Sequence, residues 1–234
     1  MAQAEVPVEL GKVGRELRTP AAAGIAGLVF SALFVASLVL LYRHPASGSS
    51  AQEIAEWYRR RDARNVAVGL YLVPFAGIAF LWFIAVIRSR IGDQEDRFFS
   101  TVLFGSGILF VAMLFAAAAA GGASFTAVKF QGAPAPSPDS IVFARGLAYT
   151  FLYVYGVRAA AVFMIVVSTI ALRTTILPRW LSFLGYALAA VLLFSVSFFK
   201  GIVLIFPAWV TALSIVILWT ARRLPAAEAG PSRG

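Results

Sequence analysis

Residues 21–42 read AAAGIAGLVFSALFVASLVLLY, a run of apolar and small positions without a single charge. A helix needs ~20 consecutive, mostly apolar residues to cross the ~30 Å hydrocarbon core of a bilayer, and this run is long enough. Thr19-Pro20 just before it reads as a helix start, with Thr as N-cap and Pro at the first helical position. Basic residues ahead of an apolar block also suit a secretory signal. The block exceeds the ~7–15-residue apolar core of a signal, however, so it is expected to be a retained anchor. Within it Ala23, Gly27 and Ser31 recur every four residues, a small-residue stripe that lets a second helix approach closely.

Working outward, comparable blocks follow at about 66–87, 98–120, 141–172, 179–199 and 202–219. The 234 residues are 60% hydrophobic and 13% charged, and the mean hydropathy is +0.84. A soluble domain is about half apolar and roughly a quarter charged. The expectation is an all-α membrane protein, a six-transmembrane-helix bundle over residues 20–220, with tails at 1–19 and 221–234. Pro74 falls inside the second span and Pro207 near the outer third of the sixth. Gly105, Gly107 and the Ala116–Ala120 run thin the surface of the third. Gly121-Gly122 and the Pro-rich stretch to Pro138 predict a loop over 121–140, after which Asp139-Ser140 can cap the fourth helix. At 1.5 Å per residue that helix is ~48 Å long, more than the hydrocarbon core. Lys200-Gly201 reads as a minimal turn.

Residues 43–65 are the most polar internal segment. Ser50-Ala-Gln-Glu53 has the form of a capping box, and Ile54, Ala55, Trp57 and Tyr58 follow on one side, with Glu56 placed to pair with Arg60. An amphipathic helix lying at the interface in the first outside loop is expected, its Arg59-Arg60-Arg61 a solvated or headgroup-facing side. Leu10, Val13 and Leu17 suggest a second surface helix in the N-terminal tail.

Orientation follows from the basic residues of short loops. With the N-terminus inside, the inner segments carry Lys12, Arg15, Arg18, Arg88, Arg90, Arg97, Arg173, Arg179, Arg222, Arg223 and Arg233. The outer ones carry Arg43, Arg59, Arg60, Arg61, Arg64, Lys129 and Lys200. Both termini are therefore expected on the cytoplasmic side, with the first loop as the contrary signal. The formal charge of +9 belongs to these flanks and to anionic headgroups, not to nucleic acid. Seventeen of the 20 basic residues are Arg, which with the Ala and Gly runs suggests a high-GC bacterial genome.

The stretch Ala55-Glu-Trp-Tyr-Arg-Arg-Arg-Asp-Ala-Arg-Asn65 leads into a span ending Phe80-Leu-Trp-Phe-Ile-Ala-Val-Ile-Arg-Ser-Arg90. With Leu177-Pro-Arg-Trp-Leu-Ser-Phe-Leu-Gly-Tyr186 and Phe206-Pro-Ala-Trp-Val210, it resembles a group of small six-span integral membrane proteins of actinobacteria, a family of unknown function. The resemblance covers most of residues 20–220. It implies six spans in a bacterial inner membrane and carries over no activity and no functional residue.

The chemistry is defined first by what is missing. There is no cysteine and one histidine, His44, so disulfides, thiolate catalysis, iron–sulfur clusters and multi-histidine metal sites are outside the repertoire. His44 at the exit of the first span reads as an interfacial residue or a pH-responsive contact. All eleven carboxylates lie in tails or loops, including the cluster Asp93, Glu95 and Asp96, read as solvated. A paired-aspartate protease is thereby excluded, and proton coupling through a buried acid disfavoured.

Arg158 stands apart. It lies 15 residues before Arg173, ~22 Å along a straight helix, where an arginine costs roughly 2.5–3.5 kcal/mol on insertion scales. It needs acceptors: helix carbonyls, the hydroxyls of Tyr155, Ser195 or Ser197, water, or a bound anion. Two readings follow. Arg158 either snorkels or bridges helices through carbonyls, or it lines a hydrated outer cavity with Tyr149, Tyr153 and Tyr155 and meets an anionic or polar ligand. The leading expectation is a non-enzymatic membrane protein without cofactor or metal, whose partners are the bilayer and a membrane protein or a second copy. The alternative is a small transporter or ligand-binding bundle using Arg158, Tyr155 and Tyr153, with Pro74 and Pro207 as hinges.

Overall fold

The computed structural model describes residues 20–41, 50–59, 62–91, 97–174, 178–195 and 200–223. These residues are almost all helical and contain no strand. α1 is Pro20–Leu41, α2 Ala51–Arg59, α3 Asp62–Ile91 and α4 Arg97–Phe130. α5 (Pro138–Tyr149), a π-helical segment (Thr150–Gly156) and α6 (Val157–Thr174) join into one rod. α7 is Arg179–Phe194, and a 3-10 turn at Lys200–Leu204 leads into α8, Ile205–Arg223. Among the described residues five helices are long and apolar enough to cross a membrane: α1, α3, α4, the α5–α6 rod, and α8 with its leading turn. The protein is membrane-embedded and all-helical.

Local signals place several ends where sequence chemistry demands. The Ser50 N–H donates to Glu53 Oε2 at 2.7 Å and the Glu53 N–H to Ser50 Oγ at 3.3 Å, a reciprocal capping box opening α2. Pro20 heads α1 as expected. Other ends differ. The N-cap of α5 is Ser137, whose Oγ accepts from the Ser140 N–H, with Pro138 rather than Asp139 opening the helix. α4 runs through Gly121-Gly122 to Phe130, so the loop expected over 121–140 shrinks to 131–137. Gly122 is buried, and a Cβ there would run into Leu70 of α3, so this glycine serves close packing. α4 instead stops at Gly132, at φ +67°, where the Ala133 N–H reaches back to the Ala127 carbonyl at 3.0 Å. α3 continues through Pro74, and Pro207 occupies the first turn of α8, where a missing N–H disrupts nothing. Neither proline breaks its helix.

The fifth apolar block departs furthest. Expected over 179–199, its helix ends at Phe194, with Ser195 already extended. At 16 residues, ~24 Å, α7 is too short for a full crossing. The tail helix near Leu10, with Thr19, His44, Arg60, Arg61, Asp93, Glu95, Asp96 and Ser197, lies outside the described residues.

α1 sits between α3 and α8, α4 packs on α3 and on the α5–α6 rod, and α7 packs mainly on α6. Phenylalanines from five helices meet at the centre. The Phe80 ring lies 4.6 Å from Phe30, 5.2 Å from Phe163, 5.4 Å from Phe110 and 5.5 Å from Phe206, centroid to centroid. A second small core joins Ile54 of α2 to Val66, Phe125 and Ile141, with Trp57 against it. The α1 stripe is consumed inside the chain. A Cβ on Gly27 would collide with Ser214 Oγ of α8 and meet the Phe83 ring at 2.9 Å, and the Ser31 hydroxyl lies 3.0 Å from the Pro207 carbonyl. Helices already in lipid gain nothing from hiding apolar surface, so such shape matching carries their association.

Candidate functional site

α6 and α7 form an antiparallel hairpin whose facing residues are equidistant from its turn. Ser168 lies six residues before Thr174 and Gly185 six after Arg179, and a Cβ on Gly185 would strike Ser168 Oγ. Their neighbours Thr169 and Tyr186 are offset by one residue each, and their longer side chains bring the hydroxyls 2.7 Å apart. Sixteen residues from the same ends stand Arg158 and Ser195. The hairpin therefore brings Arg158 level with the point where α7 stops.

That coincidence has an electrostatic reason. The last carbonyls of a helix lack intrahelical donors, and in hydrocarbon no water replaces them. Arg158 Nη2 donates to the Ser195 carbonyl at 3.1 Å, placing positive charge at the negative end of α7. Its Nη1 donates to the Tyr153 carbonyl at 2.7 Å. Tyr153 lies in the π segment, where the Val157 N–H reaches five residues back to the Leu152 carbonyl. This wide turn lets the guanidinium, leaning towards its own N-terminus, collect a carbonyl from the preceding turn.

Of the three residues expected to form the site, Arg158 and Tyr153 come together through the backbone. Tyr153 is itself buried, its ring stacked on Tyr149 at 4.5 Å and 8°. Tyr155 is 51% exposed, and among the described residues the two acceptors of Arg158 are both carbonyls, not its hydroxyl. The expected hydroxyl of Ser195 is replaced by that residue's carbonyl, and Ser195 Oγ is a buried atom without a partner among the described residues. Arg158 itself is half-buried. A guanidinium carries five N–H donors, and two are engaged here.

No family model, curated protein or solved structure matches this chain.

A second polar locus escaped the sequence reading. At the α6–α7–α8 junction, Ser168 Oγ, Ser182 Oγ and Trp209 Nε1 are buried without hydrogen-bond partners among the described residues. Elsewhere the hydroxyls of Ser31, Ser106, Thr169 and Thr211 fold back on carbonyls four residues earlier. The signal was two serines and a glycine in otherwise apolar blocks, and packing alone accounts for it: the missing side chain of Gly185 admits Ser168. Between α1 and α8 lies an open apolar groove of about 750 Å³ floored by Ser31, Pro207 and Thr211. Among the described residues no group of three His, Cys, Asp or Glu side chains could hold a metal.

Proposed function

We propose that this chain is a six-span protein of a bacterial cytoplasmic membrane, both termini cytoplasmic, that works without catalysis by packing against a membrane partner or a second copy of itself. In this reading α7 is the sixth, shortened crossing, and α2 lies at the outer interface, its Ile54 and Trp57 towards the bundle. Kinship with the small six-span actinobacterial proteins is part of the same proposal.

The observation that carries it is the outer face of α4. Gly105, Ala112 and Ala119 are exposed at seven-residue spacing, and a Cβ on Gly105 would meet nothing within 4 Å. Small residues repeated on one exposed face allow close approach of another helix. The α1 stripe, by contrast, already has its partner in α8. Because the chain has no cysteine, Ala112→Cys supplies a unique thiol. Oxidative or bismaleimide cross-linking in native membranes is expected to trap one defined adduct, and Gly105→Ile in the same chain to reduce it at least fivefold while leaving the fold intact. Monomer alone, at every cross-linker length, would contradict the proposal.

A second reading, a small transporter or ligand-binding bundle hydrated at Arg158, is favoured by the guanidinium N–H groups that the two carbonyls leave over. Its test is Tyr155→Cys and Val162→Cys in intact cells with a membrane-impermeant thiol reagent, and Leu38→Cys, within the first apolar span, as the control. Labelling of both test sites and not of the control is expected. Silence at both, with a first-loop cysteine labelled, would remove this reading.

A further inference from the structure

We propose that a second copy of this chain packs against the lipid-facing side of α1 as a closed two-fold dimer, with the α3 ridge of each copy seated in the groove between α1 and α8 of the other. This goes beyond the α4 face described above, and the two contacts stand or fall separately.

The receiving half is the open apolar groove of about 750 Å³. Its walls are low because they are built from small residues: Ala32 of α1 and Ala208 of α8 line it, both exposed, with Leu28 and Val35 along the α1 side. Its hydroxyls are already served. Those of Ser31 and Thr211 both donate to the Pro207 carbonyl, at 3.0 and 2.8 Å. The groove therefore asks for apolar shape and for no polar ligand.

The inserted half is on α3. Tyr71, Phe75, Ile78 and Trp82 follow at steps of four, three and four residues, which puts them on one helix face. All four are between 44% and 69% exposed, and the Tyr71 and Phe75 rings lie 5.1 Å apart. Large apolar side chains on a lipid-facing helix are ordinary. What singles out this ridge is its level.

Depth selects the occupant. Two copies inserted the same way round in one bilayer share every level, so each residue meets what stands at its own depth. α1 and α3 run antiparallel, with the Phe30 and Phe80 rings 4.6 Å apart and the Cβ position of Gly69 against Leu40 and Leu41. Counted from the Phe30–Phe80 pair, Ile78 is level with Ala32, Phe75 with Val35 and Trp82 with Leu28. All three counterparts belong to the groove wall. The side matches as well. α1 sits between α3 and α8, so ridge and groove flank the same helix. A half-turn about an axis beside α1, along the membrane normal, lays α3 of each copy over the groove of the other. Both halves are then used and none is left over, which closes the assembly at two. An unrelated helix would have to match three levels independently; a second copy does so by construction, and in lipid such shape matching is what holds helices together.

The test uses the full chain in native membranes, with two differently tagged copies expressed together. One carries Ile78→Cys and the other Ala208→Cys, and the chain has no other thiol. Copper-phenanthroline oxidation or a short bismaleimide is expected to give a mixed dimer, and either variant expressed alone at least fivefold less adduct. With both cysteines in one chain, the product should stop at the dimer. Ala32→Phe, at an exposed position, fills the groove and should cut the mixed adduct at least fivefold with Tm unchanged. An adduct from Ile78→Cys alone as strong as the mixed one would set α3 against α3 and overturn the pairing. A ladder beyond the dimer would overturn the two-fold closure. No adduct at any linker length, the result if bilayer lipid fills the groove, overturns the proposal, and so does capture of Ala208→Cys on a different protein. The α4 reading answers to Ala112→Cys by itself, so its failure is read separately from this one.

Discussion

Gly27→Ile is expected to break the bundle between α1 and α8. A Cβ at this position would already overlap Ser214 Oγ and press on the Phe83 ring, and both neighbours are fully buried. Neither is the free end of a flexible chain, so the helices themselves must separate. One turn earlier Gly24 faces Leu218 and the Ser214 carbonyl in the same way, which leaves no slack along the contact. Overpacking a filled core costs about 1–3 kcal/mol and sometimes more, and an isoleucine in a glycine notch belongs at the upper end. Separation would also stretch the contact between the Ser31 hydroxyl and the Pro207 carbonyl. Unfolding in mixed micelles should show the loss as an earlier midpoint and a broad, partly aggregated elution profile, with Gly27→Ala intermediate. Gly105→Ile, where the added side chain meets no other part of the chain, is the control for the unfolding midpoint and should match the unaltered protein in it. Equal stability for Gly27→Ile and Gly105→Ile would mean that α1 and α8 are not in this contact.

Phe80→Ala is the second large effect. The ring touches aromatic rings from α1, α4, α6 and α8 as well as Phe83 of its own helix. In a soluble core such a truncation costs about 3–5 kcal/mol, part transfer and part cavity. In a bilayer the separated helices rest in an apolar medium too, so the transfer part largely vanishes. The cavity and lost-contact part remains, about 2 kcal/mol. The same change at Phe143, on the exposed face of α5, should cost almost nothing. Comparing the two by mixed-micelle unfolding separates packing from hydropathy: equal losses would show that apolar content, and not the five-helix junction, holds the bundle.

Hydropathy alone was enough to show the chemistry of the environment and the centre of each apolar block, because a charge-free run is a local property. The capping box at Ser50 and Glu53 was legible for the same reason. What failed to show was where helices end when the chain stays apolar beyond the end. Residues 195–199 read Ser-Val-Ser-Phe-Phe, as apolar as the turns before them, yet α7 stops at Phe194, where Arg158 on another helix donates to the Ser195 carbonyl. That contact is tertiary and invisible to a window. Gly121-Gly122 misled in the opposite direction. Glycine marks loops by its backbone freedom, but in lipid it serves equally as a place where Leu70 can lean in.

The candidate site was half readable. Arg158 was conspicuous by its charge, and the list of groups able to serve it included helix carbonyls. Of those groups, carbonyls serve Arg158 among the described residues, and Ser197 lies outside them. Tyr155, three residues away on an ideal helix, seemed the neighbour; the π segment changes the spacing and substitutes the carbonyl of Tyr153, five residues away. The convergence of Phe30, Phe80, Phe110, Phe163 and Phe206 had no local signature, since each looks like any other phenylalanine in an apolar run.

The π segment also bears on the whole rod from Pro138 to Thr174. An α-helix turns by about 100° per residue, and a turn that accommodates an additional residue resets that angle for everything beyond it. Residues 150–156 thus act as a phase shifter between two helical halves. α5, with Arg145 and the tyrosine that stacks on Tyr153, faces a direction that an uninterrupted helix starting from Arg158 would not give it. Deleting one residue from this segment would keep the rod continuous and nearly as long, while swinging its first third around its own axis like a key turned in a lock.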